Sequence, residues 1–176
     1  MSELSMLASS DRRRYRSGED WFVVSTAGTV VCTVVGATAE RTVDLLHALS
    51  VHLDPAVDVR ISDVRTGRCW AGNLRALPEV RDAIGRLRLP LAAYGGVEVS
   101  LFTGDDQLTV TPELLLVIYA RSDRWSDLLN AMGLVKRSAA PPPTWTPTRA
   151  VLQQERPLLQ ALESAAARLT LSECAP

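Results

Sequence analysis

The stretch VEVSLFTGDDQLTVTPELLLVIYARSDRW, Val97 to Trp125, decides the fold. Val97, Val99 and Leu101 alternate with Glu98, Ser100 and Phe102, the period of two that marks a strand with one buried face. The residues GDDQ are turn formers, because glycine accepts positive φ and aspartate side chains bond their own backbone. LTVT then leaves the turn as a second strand, which predicts a hairpin. Pro112 has no N–H to give a ladder and marks an edge, a bulge or a break. Beyond it, ELLLVIYA (Glu113 to Ala120) is apolar on both faces, as a central strand covered on each side would be. A rival reading exists, since Thr111, Pro112 and Glu113 also spell a helix start that could run through Trp125. The Val-Ile-Tyr run and a fresh cap signal at Ser122 and Asp123 favour strand followed by helix. That helix places Trp125, Leu128, Leu129 and Met132 on one face and stops at Gly133.

Upstream, WFVVSTAGTVVCTVVG from Trp21 holds two β-branched runs around a turn at Ala27 and Gly28, a hairpin signal. Gly36 releases the chain, and Thr38 caps a helix through about Leu53 with the stripe Leu45, Leu46, Leu49 and Leu53. Val57, Val59 and Ile61 alternate with Asp58, Arg60 and Ser62 in another strand, and RTGRCWAG turns back as a short partner. A second helix starts at Pro78, carries Val80, Ile84 and Leu87, and is expected to end at Pro90.

Downstream, residues 137–148 (RSAAPPPTWTPT) read as a semi-rigid proline-rich linker. Residues 149–172 follow as an amphipathic helix, with Val151, Leu152, Leu158, Leu159, Leu162, Ala166 and Leu169 in phase and a kink at Pro157. Residues 1–20 are polar and arginine-dense and are expected to form a flexible arm. The expected architecture is α+β: an antiparallel or mixed sheet of about five strands with packed helices over residues 21–136, plus the tethered C-terminal helix.

The 176-residue chain is 47% hydrophobic and 22% charged, values of one folded domain with appendages. A net charge of -1 supplies no global pull toward nucleic acid or anionic membrane. Among 19 basic residues only Lys136 is lysine, a bias that suits a GC-rich bacterial genome. No stretch approaches the roughly 18 apolar residues of a membrane span, and the N-terminus lacks a signal-peptide core, so the expectation is a cytoplasmic protein. Cys32, Cys69 and Cys174 are odd in number and widely spaced, which argues against a disulfide framework and a zinc site.

Candidate sites are few. Asp105 and Asp106 are hard oxygen ligands in principle, but adjacent residues on a tight turn point apart, and a plain turn explains them without chemistry. Were they a plain turn, Asn and Gly would serve in their place. Asp63 is the one other acid that could join them, with His47 or His52, in a metal-assisted hydrolase. His47 falls opposite the leucine stripe and His52 on its flank, neither with a spaced partner. Cys69, beside Trp70, has only Arg65 and Arg68 nearby to lower its pKa. Gly36 and the pair Gly95 and Gly96 read as packing and bend positions rather than phosphate cradles. Arg12, Arg13, Arg14, Tyr15 and Arg16 could grip a nucleic-acid backbone, though Asp11, Glu19 and Asp20 dilute the field. Trp145, in the linker, either packs back or anchors a partner.

No catalytic constellation stands out and no cofactor is called for. The sequence therefore points to a non-enzymatic protein–protein interaction module: an adaptor, a regulatory subunit or an immunity-type protein. Its interaction residues would be Trp145, Leu152, Leu158, Leu159, Leu162 and Leu169, contacting a partner protein or a second copy in a homo-oligomer. The metal-assisted hydrolase and the arginine-arm nucleic-acid binder are the rival expectations.

Overall fold

The computed structural model describes residues 20–141 and 156–174. The decisive stretch folds as strand, strand and strand, then helix. β5 (Val97–Phe102) and β6 (Asp106–Val110) pair antiparallel, with Leu101 opposite Leu108. β7 (Leu116–Ala120) returns beside β6, and α3 (Arg124–Ala131) follows, which settles the strand-or-helix question. The strand is shorter than Glu113 to Ala120, because residues 111–115 form the turn. The Leu114 N–H bonds the Thr111 carbonyl at 2.9 Å, and Leu114 takes φ 59° there.

Around this hairpin, β1 (Trp21–Ala27) and β2 (Val30–Gly36) form the expected first hairpin, turning at Gly28 with φ 62°. α1 (Ala39–Leu49) begins under the Thr38 cap, whose hydroxyl accepts from Arg41 N, and ends in a 3-10 turn, Ser50–His52. β3 (Ala56–Asp63) and β4 (Cys69–Ala76) pair antiparallel, with a bulge between Val57 and Val59. α2 (Leu77–Tyr94) follows. β8 (Val135–Lys136) adds parallel to β1, α4 spans Arg156–Arg168, and β9 (Ser172–Glu173) adds to β4.

The sheet has nine strands in the order β8-β1-β2-β7-β6-β5-β3-β4-β9. It is mixed, and wider than the sheet of about five strands expected: RTGRCWAG extends into a full strand beside the six read from local pattern, and two short segments join the edges. Nine strands at about 4.8 Å span nearly 40 Å, several helix diameters across. The helices meet that width on one face. α1 lies over β6 and β7, α2 lies beside it over β3 and β4, and α4 rests on α2. α3 is tied to α1 at both ends, by Arg124 to the His52 carbonyl and by Arg41 to the Met132 carbonyl.

Between sheet and helices lies one core that includes Phe22, Val35, Leu45, Leu46, Ile61, Leu101, Leu108 and Trp125. Because the described helices share one face, β7 is not covered on both sides: Ile118 is buried, while Tyr119 is 42% exposed.

Two helix boundaries depart from the sequence reading. α2 continues through Pro90 to Tyr94. The proline removes one backbone bond, but the next turn brings Leu91 fully into the core, and that burial outweighs the missing bond. Pro157 is the second described residue of α4, and the kink expected there turns on residues that lie outside the described ones. Residues 149–155 lie outside the described residues, and the helix ends at Arg168 rather than reaching residue 172.

Candidate functional site

The C-terminal segment forms a clasp on the margin of the domain. Leu158, Leu162, Ala165 and Ala166 of α4 and Leu169 just after it are buried, and Leu159 is partly buried against the same core. Alanines on both sides let α4 approach α2 closely. A shallow groove of about 230 Å³ remains along the seam, lined by Ala83, Arg86, Leu87, Ala161, Ser164, Ala165 and Arg168.

After α4 the chain reverses sharply. The Leu171 N–H bonds the Ala166 carbonyl at 2.8 Å and the Thr170 N–H bonds the Ala167 carbonyl at 3.1 Å, the paired bonds of a Schellman end. Thr170 takes the position that glycine usually fills, at φ 51°. Leu171 then settles where β4 has Gly72; a Cβ there would meet the Leu171 side chain at 2.7 Å.

β9 brings Glu173 opposite Trp70 and Ser172 opposite Ala71. The next step carries Cys174 to Cys69. The Cys174 N–H donates to the Cys69 carbonyl at 2.7 Å, and the two residues form a disulfide with Cα atoms 5.2 Å apart. The expectation of no disulfide is thus corrected. Spacing alone could not show the bond, because its halves lie 105 residues apart and meet only through the β4–β9 pairing. Arg68 joins the clasp from the start of β4: its Nε donates to Glu173 at 2.9 Å and its Nη1 to Glu163, while its plane lies 4.7 Å over the Trp70 ring. Those hydrogen bonds, Glu173 first and then Glu163, hold the guanidinium's pKa above its ordinary value.

Of the residues expected to contact a partner, Leu158, Leu162 and Leu169 therefore lie in this chain's own core, with Leu159 at its edge. Trp145 and Leu152 lie outside the described residues, as do Arg12, Arg13, Arg14, Tyr15 and Arg16.

The paired acids of the opening stretch separate as expected of turn neighbours. Asp105 makes a solvent-exposed contact with Arg121 at 3.5 Å. Asp106 turns inward: its Oδ1 accepts from Trp125 Nε1 at 2.8 Å and its Oδ2 from Arg124. Arg124 also stacks 4.8 Å over the Trp125 ring, and the His52 ring meets Trp125 edge-on at 6.3 Å. Both carboxylate oxygens of Asp106 are thereby engaged in holding α3 to the hairpin.

Asp63 ends β3 opposite Val97, whereas Asp106 starts β6 just past the far end of β5. The length of β5 puts roughly 17 Å between the two acids, so one ion could not be shared. Asp63 instead accepts from Thr66 Oγ1 at 2.8 Å and from the Arg65 amide and Nε. Arg65 reaches on to the carbonyls of Tyr94 and Gly95, fixing the end of α2 to the β3–β4 turn. This explains the glycine pair: Gly96 has φ 69°, and a Cβ there would come within 2.6 Å of the Arg65 guanidinium. Gly36 is explained by the Trp21 ring lying against it, 2.3 Å from where a Cβ would stand.

His47 is half-buried and His52 exposed, and among the described residues no group of three or more His, Cys, Asp or Glu side chains is placed to hold a metal. No described helix is long and apolar enough to cross a membrane. Comparison with family models, with curated proteins and with solved structures returns no match.

Proposed function

We propose that the chain is a protein–protein interaction module whose working element is the C-terminal segment, acting as an adaptor, regulatory subunit or immunity-type protein of a bacterial system. The observation that supports this reading is how the segment is attached. α4 rests on α2 rather than on the sheet, β9 adds only two residues to an edge, and residues 142–155 intervene between the clasp and the rest of the domain. An amphipathic helix seated in a groove is a recurring mode of protein recognition. A cytoplasmic location belongs to the same proposal.

Trp145 supplies the aromatic anchor that such a surface uses. The test is cross-linking of the purified full chain at rising concentration, alone and with candidate partners, followed by mapping of the linked residues. Intermolecular links concentrated in residues 145–172 are expected. Links confined to the opposite end of the molecule, or none at any concentration, would overturn the reading.

A further inference from the structure

We infer that Cys69–Cys174 is a redox latch that controls exchange of the α4–β9 clasp between two copies of this chain. The inference rests on the interaction reading above and names its regulation and its partner. The latch is the one covalent tie between clasp and domain among the described residues, and it closes at the sheet edge, where both cysteines are partly exposed. Small thiols reach such a bond, and in a reducing compartment disulfides of this kind are typically transient.

What remains after reduction is a non-covalent hold. It consists of two residues of strand pairing, ion pairs of Arg68 with carboxylates that are about half exposed, and the leucine face of α4. The turn into β9 also keeps Thr170, a β-branched residue, at positive φ.

The occupant follows from complementarity. The face of α2 carrying Ala83 and Leu87 already fits α4, so a second copy presents the same fit to a released clasp. Residues 142–155 supply the tether. A connection of that length can extend to roughly 45 Å, enough to reach an adjacent molecule. Exchange of an identical element is a low-cost route to a dimer.

The chemistry balances with a dithiol reductant. Its thiolate attacks one sulfur of Cys69–Cys174, its second thiol resolves the mixed disulfide, two electrons pass to the cysteines, and each ends protonated while the reductant leaves as a disulfide. Reclosure by glutathione disulfide passes both electrons and both protons to glutathione, which leaves as two thiols while the Cys69–Cys174 bond re-forms. Cys32 does not enter within one copy. It lies on β2, which β7, β6, β5 and β3 separate from β4, a distance of roughly 24 Å.

The experiment mixes two full-length preparations carrying different affinity tags. One portion is left oxidised, and one is reduced with dithiothreitol and reoxidised with glutathione disulfide at a few hundred micromolar protein. The reoxidised mixture is expected to yield a covalent hetero-tagged dimer on a non-reducing gel, at least tenfold above the untreated portion, with Cys69 of one tag joined to Cys174 of the other by peptide mapping. Cys32→Ser should leave that yield unchanged, and Cys174→Ser should abolish it. Circular dichroism of each variant confirms that it is folded. Reoxidation to monomer alone, or dimers joined through Cys32, would overturn the latch. If the clasp forms equal intermolecular cross-links in oxidised and reduced protein, the interaction reading stands and the redox control falls. If it forms none in either state, both fall.

Discussion

The Asp106 carboxylate accepts the indole N–H of Trp125 at 2.8 Å and, with the bond from Arg124 to its other oxygen, joins the turn of the β5–β6 hairpin to the helix that follows β7. Trp125 is only 1% exposed, so its donor has no recourse to water if the acceptor is removed. The neighbouring Asp105 carries no such duty.

Asp106→Ala is therefore expected to lower stability by about 1–3 kcal/mol, the cost of orphaning a buried donor. Asp105→Ala should change it by no more than a few tenths, as for exposed ion pairs. The paired Asn and Gly replacement that a plain turn would accept should behave like the Asp106 variant. Urea denaturation of the three proteins checks the contrast.

Asp63 and Arg65 form a pair with both side chains almost completely buried. Removing the acid leaves a guanidinium uncompensated inside the fold, which typically costs about 3–5 kcal/mol. Asp63→Ala should show a loss of that order in chemical denaturation, with increased amide exchange at Tyr94 to Gly96.

Thr170 predicts a gain. A β-branched residue at φ 51° is strained, whereas glycine is not. Thr170→Gly should raise stability by up to about 1 kcal/mol, read as a shift in the urea midpoint without a change in slope.

Leu162 tests how firmly the clasp belongs to the core. It is fully buried, so Leu162→Ala should cost about 2–5 kcal/mol. A value under 1 kcal/mol would show that the clasp contributes little to the closed fold.

Asp44 sets a pH dependence. The hydrogen bond from Arg88, reinforced by the nearby positive charges, holds its pKa below the usual carboxylate value against a smaller opposing effect of burial. A lowered folded-state pKa gives a contribution that is complete above the unfolded value near 4 and fades as pH falls through the folded value. Asp44→Asn should thus lower stability slightly at pH 7. The difference from the parent should vanish in the acid range, as thermal melts from pH 7 to pH 2.5 would show.

Local signals located the strands, alternation for β3 and β5 and β-branched runs with turn residues for β1, β2, β6 and β7, as well as the Thr38 cap and the buried faces of α1 and α3. Alternation and helical spacing are properties of neighbouring residues, and each element must bury whichever face its own residues make apolar.

Tertiary structure decided the rest. The breadth of the sheet depended on whether short segments such as Val135–Lys136 and Ser172–Glu173 found an edge, and two residues carry no period to read. The passage of α2 through Pro90 depended on what Leu91 would meet. The tasks of Asp106, Asp63 and Arg65 depended on groups brought near by register rather than by spacing. The disulfide depended on both ends of the chain: Cys69 and Cys174 become neighbours only because α4 finds α2, the Thr170 turn reverses the chain, and β9 pairs with β4. Local preference sets which elements form, whereas the choice among partners for each apolar face and strand edge is a competition across the whole molecule that only the assembled fold resolves.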